Sequence, residues 1–461
     1  MKERILQTLK ELRAYALDKG YEIAVFYHEE DSYLMRCANS AISLNTNEHL
    51  IRLKITAYDG RKRAGYELIT DLDKIAEMKQ GIDTAAEMAR HAQPLNYQPT
   101  IPHFAESFDD ASGYDAALVR ISGEERLHYF NQAVSGLESE ALLLSGIFSN
   151  GATTIAQINT RSAHTQYFKT SDAQASVVLA HAKLKWEVIA EQSACRKTDL
   201  DPGALHHDLA VLAAHYQSDA ARPIPLGRYD IVFGAAAIAA IVKMMNWIGF
   251  NGGLMKRGYS FLNEEDAGRR VFSEKVTLTD DPGQPATFPF KRDFTGIPRR
   301  AWPLFDRGVF RGFVWPQDEA DEFGAPATGH SVSHNSLVLR AGDRPVSSLE
   351  ELANMPREKD LLFIPFLHYM NIVDPCRGLI TASSRFGALL LKKDGSVAVP
   401  YNVRLTQSLP DLLGDKMAWL SESVVPYNVS NSYGERNPTA LVVPDFLCVK
   451  DLEISHANAG Y

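Results

Sequence analysis

The chain of 461 residues carries 48 Lys and Arg against 57 Asp and Glu, a formal charge of −9, with 45% hydrophobic and 23% charged residues. That composition supplies ample core material and excludes wholesale disorder, which needs few apolar residues and a large charge imbalance. An acidic chain is also poorly suited to general nucleic-acid binding, whose affinity comes from cations neutralising phosphates.

Cys37, Cys195, Cys376 and Cys448 lie far apart and form no C-x-x-C pair. Scattered thiols suit a reducing compartment, so the cytoplasm is the expected location. The first twenty residues hold no apolar h-region and do not read as a signal peptide. Only the stretch from Ile231 to Phe250 resembles a membrane span, and Lys243 and Asn246 interrupt it. It reads as a buried strand and helix, with no membrane partner expected.

In chain order, Ile5, Leu6, Leu9, Leu12, Ala16 and Leu17 recur at helical spacing, and Gly20 follows as a stop signal. Ile51 to Ala57 alternates apolar and polar residues, as a half-buried strand requires, and Asp59-Gly60 supplies a hairpin turn. The adjacent Arg61-Lys62-Arg63 reads as solvated protection of a strand edge. A second helix is expected over 71–92, capped by Thr70 and stopped by Pro94. Residues 1–92 thus form one helix–sheet–helix unit, and the proline-bearing stretch 93–112 a linker.

A central α+β unit is expected over 113–226. It holds a helix near 124–137, strands around 147–158 turning at Asn150-Gly151, more strand to about residue 191, and a helix opened by Asp201-Pro202. Leu205, Leu209, Leu212 and Tyr216 share one face of that helix. His206 and His207 on it point about 100° apart and cannot grip one ion together.

From 227 to 461 short apolar runs (229–233, 276–278, 337–339, 361–365 and 388–391) alternate with Gly, Pro and Asp turns. Helices are expected at 235–248 and 348–354, with the glycines at 249–253 forming a hinge into a strand over 256–262. Trp302, Phe305, Phe310, Phe313 and Trp315 suit sheet core or a subunit contact. The expected fold class is α+β: N-terminal units with hairpin sheets and flanking helices, then a large strand-rich C-terminal domain.

The series Gly227-Arg-Tyr-Asp-Ile-Val-Phe-Gly234, Lys256-Arg-Gly-Tyr-Ser-Phe-Leu262, Asp280-Asp281-Pro282, Asp293-Phe-Thr-Gly-Ile-Pro298-Arg299-Arg300, Thr328-Gly329-His330 and His334-Asn335 resembles, in order, the C-terminal domain of the TldD/PmbA family, also called modulators of DNA gyrase. Upstream, Ile158-Asn159-Thr160-Arg161 and the segment from Leu200 to Pro225 resemble parts of its second domain. The resemblance implies a cytoplasmic metallopeptidase of two related subunits acting on unfolded or short peptides. The TldD-like subunit bears HExxxH on the helix after the first C-domain strand, where two imidazoles hold zinc and the carboxylate serves as base. Here those positions carry Lys243, Met244 and Ile248. Cys448 also lacks the Cys-Gly-Lys context of the metal-bearing subunits.

The resemblance therefore implies a TldE/PmbA-like subunit without catalytic or metal-binding residues, whose zinc resides in a TldD-like partner. The family's Asn-Pro-x-x-Gly-Asp-Phe-Ser segment stands here as Asp374-Pro375-Cys376-Arg377-Gly378-Leu-Ile-Thr381. Candidates for a peptide cavity or interface are His330, His334, Asn335, Asp374, Cys376 and Arg377. His330 and His334, four apart, would share a face if helical, but the surrounding Pro, Gly and Ser residues favour a loop. Cys376, with His368 eight residues earlier, is the other rival, as nucleophile and base. The alternatives are a free-standing homodimeric peptide-binding protein, or an independent hydrolase using Cys376 or the histidine pair.

Overall fold

Four long antiparallel strands dominate the N-terminal half of the computed structural model, which describes residues 1–184, 186–218, 221–430 and 435–458. The elements there are α1 (Lys2–Asp18), β1 (Glu22–Ala38), β2 (Ala41–Asp59), β3 (Lys62–Thr70), α2 (Ile75–His91), β4 (Phe108–Gly113), α3 (Ala116–Val119), α4 (Gly123–Ala133), β5 (Leu142–Asn159), β6 (Ser162–His181), β7 (Glu187–Ala194) and α5 (Pro202–Ser218). Their strands form one sheet in the order β3-β2-β1-β5-β6-β4, with β7 also paired to β6. The strands expected in two separate units therefore pair directly, through β1 against β5.

The helices cover one face of this sheet at its two ends. Ile5, Leu9, Leu12 and Ala16 of α1 meet Met78 and Ile82 of α2 over Val25, Leu53 and Ile55. At the other end α4 and α5 pack Phe130, Leu205 and Leu209 on Phe148, Val177 and Val188. A solvated sheet would bury alternate residues only. β1 does so at Ile23, Val25 and Tyr27, but then buries His28, Glu29 and Glu30 in succession. Both faces are covered there, because a C-terminal segment lies across the strand.

That segment is anchored by Arg436. Its guanidinium bonds Asp172 through Nε at 2.8 Å, the Asp172 carbonyl at 3.0 Å and Ser149 Oγ at 3.2 Å. Its backbone N–H donates to the Glu30 carboxylate, and its carbonyl accepts from His28 Nε2 at 2.8 Å. Arg52 Nη1 holds the other Glu30 oxygen at 2.8 Å. Burial pushes the Asp172 carboxyl up, against the pull of Arg436. A carboxylate so desolvated is sustained only by a paired, hydrogen-bonded cation.

The C-terminal half comprises β8 (Gly227–Gly234), α6 (Ala235–Ile248), α7 (Gly252–Lys256), β9 (Leu278–Asp280), β10 (Trp302–Asp306), β11 (Val309–Phe310), α8 (Gln317–Phe323), β12 (Leu337–Leu339), α9 (Leu349–Asn354), β13 (Leu361–Ile364), β14 (Phe366–Asp374), β15 (Leu379–Arg385), β16 (Leu389–Leu391), β17 (Val397–Ala398), β18 (Asn402–Ser408), α10 (Leu409–Leu413), β19 (Met417–Leu420), β20 (Val424–Asn428), β21 (Ala440–Pro444) and β22 (Phe446–Asn458). One sheet runs β11-β10-β9-β12-β21-β20 and another β14-β15-β18-β22-β8-β13-β16-β17, with β19 on β22. Helix α6 packs against strands of both sheets. Ala237, Ile238, Ile241, Val242, Met245 and Ile248 of this largely apolar helix are fully buried, while Trp247 on its outer face is exposed. Among the described residues no helix is long and apolar enough to cross a membrane.

Several local expectations are corrected. Asn150-Gly151 is not a turn but the middle of β5, facing Tyr33 and Ser32 of β1. Asn150 spends its amide on the Leu118 and Val119 carbonyls and on Arg126. A Cβ on Gly151 would lie 2.1 Å from the Asp31 carbonyl and 2.9 Å from the Arg436 guanidinium. Thr70 closes β3 opposite Ile51 rather than capping α2, whose N-cap is Lys74. Within the expected linker, residues 108–113 form β4, parallel to β6. The expected strand over 256–262 is instead the end of α7 and an irregular loop, and Gly252 and Gly253 press against Trp315 and Glu319.

Gly151→Ala should therefore destabilise the fold by about 3 kcal/mol, since overpacking here strikes backbone and a buried ion pair. Gly65→Ala, where nothing lies within 4 Å, should stay within about 0.5 kcal/mol. Urea unfolding of the two variants checks this.

Candidate functional site

Helix α6 carries Lys243, Met244 and Ile248, the three positions at which the resemblance expects a metal motif. Lys243 is half-buried, with Nζ 3.4 Å from the Val429 carbonyl, and desolvation lowers its ammonium pKa. Met244 packs against the surrounding core, and Ile248 lies wholly within it. An ammonium, a thioether and an aliphatic chain offer zinc neither imidazole nor carboxylate, so this residue set does not fit the ion. Among the described residues no three His, Cys, Asp or Glu side chains converge as ligands would.

One turn further, Asn246 Oδ1 accepts a hydrogen bond from Asn335 Nδ2 at 2.8 Å, both side chains being buried. Asn335 begins the approach to β12, so this bond ties α6 to the loop holding the two histidines. Residues 330–334 form a tight β-bridge loop, Ser331 facing His334, and not a helical turn. The imidazoles therefore take different neighbours. His330 Nδ1 lies 2.5 Å from Asp280 Oδ2, while Asp280 Oδ1 accepts from Arg299 Nη2 and the Ser336 N–H, both at 2.7 Å. Burial raises the Asp280 carboxyl, but the Arg299 charge and the His330 bond outweigh it and the pKa ends below the usual range.

His334 sits between Phe290 and Phe294, ring centroids 4.6 and 5.3 Å away. Burial, reinforced by Arg299, pushes its pKa down to about 3, so the ring is neutral at physiological pH.

Asp374, Cys376 and Arg377 stand elsewhere, at the end of β14. Asp374 Oδ1 accepts from the Cys376 and Arg377 N–H groups and closes a short turn. Cys376 is exposed and its thiol donates to the Gly258 carbonyl at 3.2 Å. His368 lies most of a strand away, 3.4 Å from Arg385, which forks onto Glu187. Geometry thus joins His330, His334 and Asn335 in one buried seam, and leaves Cys376 without His368 as a base. His206 and His207 diverge, one to the Ala133 carbonyl and one to Glu350.

The buried pair Asp280–Arg299 and the Arg436 anchor escape sequence reasoning. Each joins residues far apart in the chain, and no local spacing announces such a pair.

The sequence model of the PmbA/TldA metallopeptidase C-terminal domain matches residues 226–456, half of the chain. The chain belongs to the PmbA/TldD family. Solved structures agree on the fold of this PmbA/TldD chain over nearly its full length. TldE from Thermococcus kodakarensis matches with a TM-score of 0.80 at 16% identity, covering 97% of this chain and 100% of that one. A putative modulator of DNA gyrase from Thermotoga maritima matches at 0.75 and 15% identity, covering 97% and 99% of the two chains. One from Bacteroides thetaiotaomicron matches at 0.74 and 15%, covering 97% and 98%. No curated protein matches the chain. The mixed α+β class expected from sequence is that of these structures, and the family is metallopeptidase-like.

The His334 environment has a pH signature. An unfolded imidazole binds its proton near 6.5, the folded one only near 3, so between them the unfolded state holds more protons. Stability from this group is complete above pH 6.5 and is lost as pH falls toward 3. Urea unfolding between about pH 6.5 and about pH 4.5 should show wild type losing about 1.4 kcal/mol per pH unit more than His334→Phe. Equal pH dependence of the two proteins contradicts the assignment.

Proposed function

We propose that this chain is the TldE-like, metal-free subunit of a cytoplasmic TldD/TldE-type peptidase acting on unfolded or short peptides, with zinc held by an HExxxH-bearing partner. The observation that carries the reading is Lys243 at the first ligand position of α6, half-buried with its ammonium against the Val429 carbonyl. A cation there repels a metal ion, and the neighbouring Met244 cannot accept a proton from water. The likeness of the whole fold to TldE from Thermococcus kodakarensis supports the same reading.

The substrate role assigned to the chain is to help wall the peptide cavity. Strand β14 is an edge of its sheet and exposes Tyr369 and Val373 (65% and 53%). An extended peptide pairs its backbone with such an edge and sets alternate side chains against apolar residues. Asp374, Cys376 and Arg377 form the short turn that ends this edge, which supports assigning them to the rim of the proposed cavity.

Purified alone, the chain should hold substoichiometric zinc by elemental analysis and cleave no peptide. Activity should appear on mixing with the HExxxH-bearing relative from the same source. One zinc per chain retained through chelation overturns the metal-free reading. A stable homodimer that binds peptide and ignores that relative would instead make it a free-standing peptide-binding protein.

A further inference from the structure

Ile23 and Val25 of β1 turn toward α1 and α2, so Ala24 and Phe26 turn to the opposite face of the sheet. There Phe26 stands in register between Lys54 of β2 and Gln157 of β5, and Ala24 between Thr56 and Asn159. Pro102 and Phe104 from the link before β4, with Phe294 and Thr295 from the C-terminal half, lie over this face and leave a cavity of about 90 Å³. That is room for about three water molecules at their share of liquid volume, or for one small organic group.

Two of the lining side chains are almost completely buried, Gln157 at 3% exposure and Asn159 at 1%. Gln157 Nε2 donates to the Asp293 carbonyl at 3.2 Å, and Asn159 Nδ2 donates to the Pro102 carbonyl at 2.8 Å. A carbonyl only accepts, so each amide must turn its nitrogen toward it, and the orientation of both amides is fixed. Gln157 Oε1 and Asn159 Oδ1 are then left buried without a hydrogen-bond partner. Two orphaned acceptors, two residues apart on one strand face and both belonging to the wall of one cavity, mark a place where donors are missing. The charged groups of the wall are already engaged: Lys54 Nζ holds Glu435 at 2.7 Å, and Asp318 pairs with Arg63. Phe26, Phe104 and Phe294 supply the apolar surface.

We propose that this cavity binds a primary carboxamide, its NH2 group donating to Gln157 Oε1 and Asn159 Oδ1 and its plane set against the phenyl rings. One amide nitrogen carries two donors, which matches two acceptors, whereas a hydroxyl offers one and a carboxylate none. A cation is disfavoured, because the Lys54 ammonium repels it and the one carboxylate of the described lining, Asp318, is taken by Arg63. An ammonium has three N–H donors, so Lys54 keeps Glu435 and still gives one bond to the carbonyl of the bound amide. The proposal does not rest on the subunit reading above.

Ligand-observed NMR titration of the full chain with propionamide and with methyl acetate isolates the donors, since the two molecules match in size and only the amide has N–H groups. The amide should bind at least about tenfold more tightly. Gln157→Met keeps the side-chain length, removes one acceptor, and should weaken amide binding at least about threefold. Equal affinity for amide and ester overturns the proposal, and so does binding of neither, which leaves water alone to fill the cavity. Undiminished amide binding by the folded Gln157→Met protein overturns it as well. If that variant does not fold, Asn159→Leu takes its place with the same expected direction, and the wild-type comparison decides by itself. N-acetylglutamine methylamide that displaces propionamide, where its methionine counterpart does not, identifies a peptide side chain as the source; failure to displace identifies free small amides.

Discussion

Arg436 is the pin on which the two halves of this protein turn. It carries a C-terminal segment onto the long N-terminal sheet and satisfies the buried carboxylates of Asp172 and Glu30 at once. Taking these charges out of water would cost several kcal/mol each if they were left alone. The surroundings are shaped to receive them: Gly151 gives up its side-chain volume, and Ser149, Thr153 and His28 supply the remaining polar contacts. The pin accounts for the burial around His28 to Glu30 of β1 and Ser149 to Thr153 of β5, while further along β5 Phe290 and Asp293 cover Ile155 and Gln157.

The same logic extends into the C-terminal half. Asp280 binds Arg299 and His330 in a seam whose side chains are almost completely buried, and Asn335 links that seam to Asn246 on α6. The inner face of helix α6 is thereby fixed by apolar packing and by a polar tie. A helix presenting a hydrolytic metal needs an open coordination position and access for water. Here the corresponding stretch is spent on packing, which is the physical content of the metal-free reading.

What the sequence reveals follows from how local each cause is. The apolar stripe of α1, the periodic face of α5 and the largely apolar α6 are legible because local pattern alone produces them. Asn150-Gly151 misleads because the same dipeptide that makes a hairpin turn also suits a strand crossed by a guanidinium, and Arg436 is nearly three hundred residues away. Gly252 and Gly253 read as a hinge, yet their small size serves Trp315 and Glu319 on a later loop and helix. The pair His330 and His334 is visible in the sequence. Its separation into an ion-paired ring and a neutral, aromatic-packed ring depends on Asp280 and Phe290, which no spacing rule connects to it.

A double-mutant cycle between Arg436 and Asp172, read by urea unfolding, tests the pin directly. Arg436→Met and Asp172→Asn should each cost about 3 kcal/mol or more, because each leaves a buried charge without its partner. The coupling energy should be at least about 2 kcal/mol, well above the scatter of independent sites. Costs that simply add, with coupling near zero, would mean that the C-terminal segment is held to the sheet by something other than this ion pair.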